Sequence, residues 1–277
     1  MKHHPIKQYI LFLVFLCGTL LQPFSLHAQP DVLIAKKKVI PNGYNFWIYL
    51  PENYQSSQDS IPLIVFLHGA SLCGHNLDRV LHYGTLDAIK RGVRIPAMVV
   101  APQNPGGAWN PGKLNDILEW LDTHEYPYDH QRVYVLGMSL GGYGTLDFVG
   151  TYPEKIAASM ALCGGCSLKD LSGLGEFPLW IIHGTADRAV SVKESQRIVN
   201  TLKNARKDTR LRYDWIQGGS HSTPARYLYA QKTYEWLLSH TRADEARRVE
   251  TTIKITPTDL QNTYRKLEKR PALEIKR

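Results

Sequence analysis

The feature that most constrains this chain is a series of apolar runs, each too short for a long helix and too continuous for a half-exposed strand. "IPLIVFLHG" (61–69), "AMVVAPQ" (97–103), "RVYVLG" (132–137), "IAASMALCGG" (156–165) and "FPLWIIHG" (177–184) fit strands covered on both faces. Helical spacing fills the gaps between them. Residues 77–90 read as a helix, and Leu114, Ile117, Leu118 and Leu121 share one face of "KLNDILEWLDTH" (113–124). Residues 143–149 read as a helix that Tyr152-Pro153 stops. "SVKESQRIVNTLKN" (191–204) begins at Ser191 as N-cap, with Glu194 placed for a capping box. "YNFWIYL" (44–50) alternates as a half-buried strand does, "LRYDWIQ" (211–217) is a last strand, and "RYLYAQKTYEWLLSH" (226–240) is a closing helix. Such alternation implies an α/β fold, a mostly parallel central sheet with helices on both faces. Ligands bind such sheets at the carboxyl ends of the strands, so chemistry is expected just after them.

The 277 residues are enough for one sizeable core, which composition divides from its ends. Lys2 and Lys7 precede an apolar run, Tyr9 to Leu21, and a cleavage point follows Ala28, so residues 1–28 read as a signal peptide. The expectation is a secreted or periplasmic protein with no stable membrane insertion once that segment is removed. The formal net charge of +8 is concentrated at the ends: residues 1–28 carry +2, residues 241–277 carry +4, and residues 29–240 the remaining +2. No nucleic-acid motif accompanies it, and a nucleic-acid partner is not expected. Beyond the signal segment lie Cys73, Cys163 and Cys166. The "CGGC" pair lacks thioredoxin-like surroundings and further metal ligands, which leaves a short-loop disulfide or two small buried hydrophobes.

The third apolar run enters "GMSLGGYG" (137–144), where Gly137, Ser139 and Gly141 match G-x-S-x-G, a sharp strand-to-helix turn that exposes a serine hydroxyl. Asp187 follows "LWIIHGTA", and His221 follows "LRYDWIQGGS". Serine, acid and histidine thus come in the order of an α/β-hydrolase triad. A serine hydroxyl is a poor nucleophile at neutral pH. A histidine takes its proton and returns it to the leaving group, while a carboxylate orients the imidazole and stabilises its charged form. An oxyanion would be met by the N–H of Leu140 and by that of Ala70 or Ser71, after "IVFLHG". His68 and His183 read as structural. Asp170 and Glu176 are rival acids, and Asp214 lies within a strand. Trp109 either lines a substrate cleft or caps a loop.

Together, "IPLIVFLHGASLCGHN", "VVAPQNPGGAWNPGKLNDILEWL", "RVYVLGMSLGGYGTLDFVGTYPEKIAASMALCGG", "PLWIIHGTADRAVSVKESQRIV" and "GGSH" resemble the prolyl-oligopeptidase-like carboxylesterases often labelled "predicted peptidase". That family is similar to the phospholipase/carboxylesterase and feruloyl esterase types. The likeness covers residues 40–240 and implies the α/β-hydrolase fold, ester hydrolysis with no metal or organic cofactor, and the triad Ser139, Asp187 and His221. Where relatives carry Glu-Arg in the loop after the first H-G, this chain has Leu72-Cys73, which replaces a charged pair by an apolar, thiol-bearing wall of the cleft. The aromatic residue that often follows the histidine in relatives is also missing from "HSTPARY".

Residues 29–240 are thus expected to form the catalytic domain and residues 241–277 a basic extension, docked or disordered. Within it, "VETTIKI" (249–255) alternates like a strand, and Thr256 caps a helix with Pro257 at its first position. Leu260, Tyr264 and Leu267 would share a face of that helix, and removal of the extension is expected to spare turnover of a small ester. The expected activity is hydrolysis of a small or carbohydrate-linked ester through an acyl-enzyme on Ser139. A serine peptidase and a non-catalytic binding protein of the same fold remain alternatives.

Overall fold

Strand β3 (Ile61–Leu67) has a parallel strand on each side, and beyond Ile61 every residue in it is buried. Its side chains alternate between two cores, Ile64 and Phe66 in one and Leu63, Val65 and Leu67 in the other. This is how a strand inside a two-sided sheet must read, and it explains the continuous apolar run. The computed structural model describes residues 30–52, 54, 60–124, 126–263 and 273–277. The expected signal peptide lies outside the described residues.

A nine-stranded sheet runs through the molecule in the order β8-β7-β6-β5-β3-β4-β2-β1-β9. Strands β3, β4 (Met98–Gln103), β5 (Tyr128–Met138), β6 (Ala158–Leu162), β7 (Leu179–Gly184) and β8 (Leu211–Ile216) are mutually parallel. Strand β2 (Asn45–Leu50) runs antiparallel to both β4 and β1 (Val32–Lys36), and β9 (Glu274–Lys276) is parallel to β1. On one face lie α1 (Thr85–Lys90), α5 (Gln231–Leu238) and α6 (Pro257–Asn262), with Leu86, Trp236 and Leu260 in the core. On the other lie α2 (Pro111–Asp122), α3 (Leu140–Thr151) and α4 (Val192–Asn204), with Leu118, Phe148 and Ile198 in the core. No helix among the described residues is long and apolar enough to cross a membrane.

Several local expectations change in the folded chain. The helix expected over 77–90 divides into a 3₁₀ segment, Leu77–His82, and α1, because the chain turns at Gly84 with φ +90°. A methyl group there would lie 2.0 Å from the Phe66 ring. The closing helix likewise begins as a 3₁₀ segment, Thr223–Tyr229, before α5. Strand β2 is buried beyond Asn45 instead of half-buried, since both its faces are covered, Trp47 and Tyr49 entering one core and Phe46 and Ile48 the other. Ser191 caps α4 through the Lys193 N–H at 3.3 Å, while the Glu194 N–H bonds the Ser191 backbone carbonyl. Cys73, Cys163 and Cys166 are free thiols, the last two buried, so the disulfide alternative is not realised.

The described part of 241–277 packs on the body through backbone acceptors. Trp236 Nε1 donates to the Glu250 carbonyl at 2.8 Å, and Arg212 Nη1 donates to the Ile253 carbonyl at 3.0 Å. Arg247 Nη2 donates to the Ile156 carbonyl at 2.8 Å. The segment 249–255 forms no strand, and its Glu250 and Ile253 carbonyls accept from these side chains. Thr256 does start α6, with a full capping box to Asp259, and Leu260 is buried; Tyr264 and Leu267 lie outside the described residues. The tail therefore covers Trp236 and Arg212, which would lose these carbonyl acceptors without it. A chain ended at residue 240 is expected to unfold at a lower temperature than the full chain, and Trp236→Ala to cost about 3–5 kcal/mol in denaturant titration. An unchanged melting temperature on truncation would contradict this account of the tail.

Candidate active site

The site is built at the carboxyl ends of β3, β5, β7 and β8. Ser139 forms the turn between β5 and α3, at φ +59° and ψ −122°. This is a costly backbone for a residue with a side chain, by about 1–3 kcal/mol. The glycines beside it allow that turn to close. A methyl at Gly141 would lie 1.9 Å from the Leu67 carbonyl oxygen, and one at Gly137 would lie 2.4 Å from the Gly141 carbonyl oxygen. Backbone therefore rests directly on backbone. The Ser139 N–H is held by the Leu162 carbonyl of β6 at 2.8 Å.

His221 Nε2 lies 2.9 Å from Ser139 Oγ, and His221 Nδ1 lies 2.7 Å from Asp187 Oδ2. Next to an ionised carboxylate the Nδ1 position carries the proton, which leaves Nε2 to accept from the serine hydroxyl. The Asp187 side chain is fully shielded from solvent. Its Oδ1 accepts from the N–H groups of Ala189 at 2.8 Å and Val190 at 2.9 Å. Burial alone would raise this carboxyl, but the hydrogen bonds from His221, Val190 and Ala189 outweigh it and hold Asp187 below its ordinary value.

A second histidine approaches the same carboxylate. Buried His183 has Nε2 3.0 Å from the Val190 carbonyl and 3.2 Å from Asp187 Oδ2, while its Nδ1 meets Ser195 Oγ at 2.8 Å. Both neighbours of Nε2 are acceptors, so that nitrogen holds a proton. The sequence marks His183 as structural, but its contact with the acid needed the fold to appear. Asp170, Glu176 and Asp214 are engaged elsewhere: Asp170 accepts from Ser172 N–H at 2.8 Å, Glu176 pairs with Lys207 at 3.0 Å, and Asp214 accepts from Trp180 Nε1 at 2.7 Å. Cys163, His183 and Asp187 offer grouped donor atoms. Each already has a hydrogen-bonding partner within the protein.

Opposite the serine, the loop after β3 begins at Gly69, where a methyl would sit 3.5 Å from Ser139 Cβ. Ala70–Leu72 then form one 3₁₀ turn, and its first N–H groups have no partner within the turn. The carbonyls of this loop accept from side chains outside it. Arg79 donates to the Ser71 carbonyl at 2.7 Å and to that of Leu72 at 3.2 Å. Gln103 donates to the carbonyls of Leu72 and Gly74, each at 2.8 Å. A cation thus serves this loop after all, from Arg79 in the next 3₁₀ segment and not from positions 72 and 73. Leu140, at the first position of α3, supplies another N–H without a helical partner.

Two cleft expectations are corrected. Trp109 is only 3% exposed, packs edge-on against Tyr44 and His68, and donates from Nε1 to the His68 carbonyl at 3.3 Å. It buttresses the loop from below and does not line a cleft. Leu72 is buried as well, and of the pair Leu72-Cys73 only Cys73 is partly exposed. Beneath them His68 accepts from the Asn104 N–H at Nε2, 3.0 Å, and so donates from Nδ1 to the Gly69 carbonyl at 2.8 Å. Burial lowers its pKa to about 4. An unfolded chain binds this proton below about pH 6.5, whereas the folded one resists it. Stability is therefore expected to fall between about pH 6.5 and pH 4, and His68→Asn to flatten that part of the profile in denaturation measured against pH.

Residues 114–238 match the phospholipase/carboxylesterase family. A bifunctional acetylxylan esterase/xylanase of Neocallimastix patriciarum is 30% identical over 59% of this chain and 24% of its own length. Acetylxylan esterase A of Emericella nidulans is 23% identical over 70% of this chain and 66% of its own length. The chain therefore spans less than two-thirds of either curated relative. Among solved structures, a thermostable esterase superposes with TM-score 0.61 at 25% identity, over 77% of this chain and 64% of that one. A ferulic acid esterase shares the fold with TM-score 0.58 at 14% identity, over 76% of this chain and 97% of that one. With the doubly covered parallel sheet and the serine turn at its rim, these likenesses give the chain the α/β-hydrolase fold, and the proteins it is similar to are carboxylic ester hydrolases.

Proposed function

We propose that this chain is an exported serine esterase acting on small or carbohydrate-linked carboxylic esters, acetyl or aryl in the acyl part. The observation that carries the reading is the pair of contacts at His221, 2.9 Å to Ser139 Oγ and 2.7 Å to Asp187 Oδ2. Ser139 Oγ attacks the ester carbonyl while its proton passes to His221 Nε2. Asp187 stabilises the imidazolium that forms. The oxyanion is met by the N–H of Leu140 and by that of Ala70 or Ser71, a contribution of about 3–4 kcal/mol per donor. Collapse breaks the bond to the alcohol, which leaves with the proton from His221. Water then repeats the sequence against the acyl-enzyme: His221 takes its proton, the acid is released and Ser139 recovers its own. Residues 1–28 act as the export signal, 29–240 as the catalytic domain and 241–277 as its extension. The ester class is supported by the acetylxylan and ferulic acid esterases among the relatives.

A fluorophosphonate probe is expected to label the wild type and Ser167→Ala but not Ser139→Ala. Asp187→Asn is expected to lower turnover of para-nitrophenyl acetate by about ten-thousandfold. Longer acyl chains should be turned over more slowly than acetyl. A folded protein that resists the probe, or one that cleaves a peptide faster than the aryl ester, would overturn the assignment.

A further inference from the structure

A cavity of about 750 Å³ lies at the β8 edge of the sheet, between β8, the 3₁₀ segment Thr223–Tyr229 and the docked tail. Its size is that of a small-molecule site. Ile216, Tyr227, Ile255 and Leu260 line it with apolar surface. Two of its charged residues are already committed. Arg212 donates to the carbonyls of Glu250 and Ile253 and lies over the Trp180 ring at 3.5 Å; Asp214 accepts from Trp180 Nε1 at 2.7 Å. Arg226 and Lys254 also line the cavity, both exposed, and neither has a hydrogen-bond or ion-pair partner among the described residues. The stretch that follows α6 offers little to complement them: residues 264–272 contain Arg265, Lys266, Lys269 and Arg270 against a single carboxylate, Glu268. An apolar wall with two uncompensated cations beside it suits a molecule with an apolar body and one anionic end.

We infer that this cavity is a second ligand site, separate from the serine, for a small organic carboxylate with an apolar body. Thr223 joins it to the site already described. That side chain lines the cavity and also closes the turn carrying His221: its Oγ1 accepts from the Ser220 N–H at 3.0 Å, and its own N–H donates to the Ser220 carbonyl at 3.1 Å. A ligand seated there touches the turn that presents the imidazole. The ligand class is also that of the acid released by ester hydrolysis. This link to the product rests on the proposed esterase activity; the binding site does not.

Calorimetric titration of the full-length Ser139→Ala protein tests the binding without turnover. The probes are 3-phenylpropionate, 3-phenylpropan-1-ol with the same body and no charge, and acetate with the charge and little body. One 3-phenylpropionate is expected to bind per chain, with both other probes weaker by about tenfold or more. Arg226→Glu with Lys254→Glu should remove the carboxylate binding while leaving the melting temperature unchanged, and backbone amide resonances of Ser220 and Thr223 should move on titration. No binding of 3-phenylpropionate, equal binding of the alcohol or of acetate, or unaltered affinity in the charge-reversed protein would overturn the site. Failure of the ester assay on the wild type would instead remove the product link and leave the cavity's ligand class standing.

Discussion

The whole site depends on one close approach of two backbones. The first turn of α3 rests at Gly141 on the carbonyl of Leu67, the last residue of β3, with no room for a single methyl between them. This contact lets β5 turn into α3 within one residue. It puts Ser139 in an unfavourable backbone conformation, with its hydroxyl 2.9 Å from His221 Nε2. The same approach brings the loop after β3 beside the serine, where a methyl on Gly69 would lie 3.5 Å from Ser139 Cβ. The strain is held in place by a buried sheet on every side, where a shift of β3 or β5 would open a core packed like a crystal.

Around that contact, neutral and charged side chains do complementary tasks. His68, Gln103 and Arg79 together hold four carbonyls of the 69–74 segment, those of Gly69, Ser71, Leu72 and Gly74. Across the site, Asp187 gathers donors from two backbone N–H groups and from two imidazoles. A carboxylate shielded from water in this way stays ionised because donors replace the solvent it has lost. The tail performs a similar service beside β8, where its carbonyls meet Trp236 and Arg212.

The apolar runs of β3, β4, β5, β6 and β7 made the two-sided sheet legible, because a strand covered on both faces has no polar phase to lose. The ordered serine, acid and histidine were legible for a related reason: each follows a strand, and turns at strand ends carry few residues among which to choose. The β1 end of the sheet was not: β1 and β9 bury few of their side chains, and 249–255 alternates like a strand while its Glu250 and Ile253 carbonyls accept from side chains. Trp109 carries no mark that distinguishes a cleft wall from a buttress, since a large aromatic serves either place.

By itself, then, the sequence determined the fold class, the sharp turn at Ser139 and the identity of its partners, since these rest on periodicity and on the small residues that a close approach demands. Tertiary structure alone decided which groups support them. His183 reaches Asp187, Arg79 reaches the loop after β3, and the tail closes over β8 to leave a cavity. Such contacts join elements far apart along the chain, or side chains whose directions are set only by packing, and local pattern carries no record of where they meet.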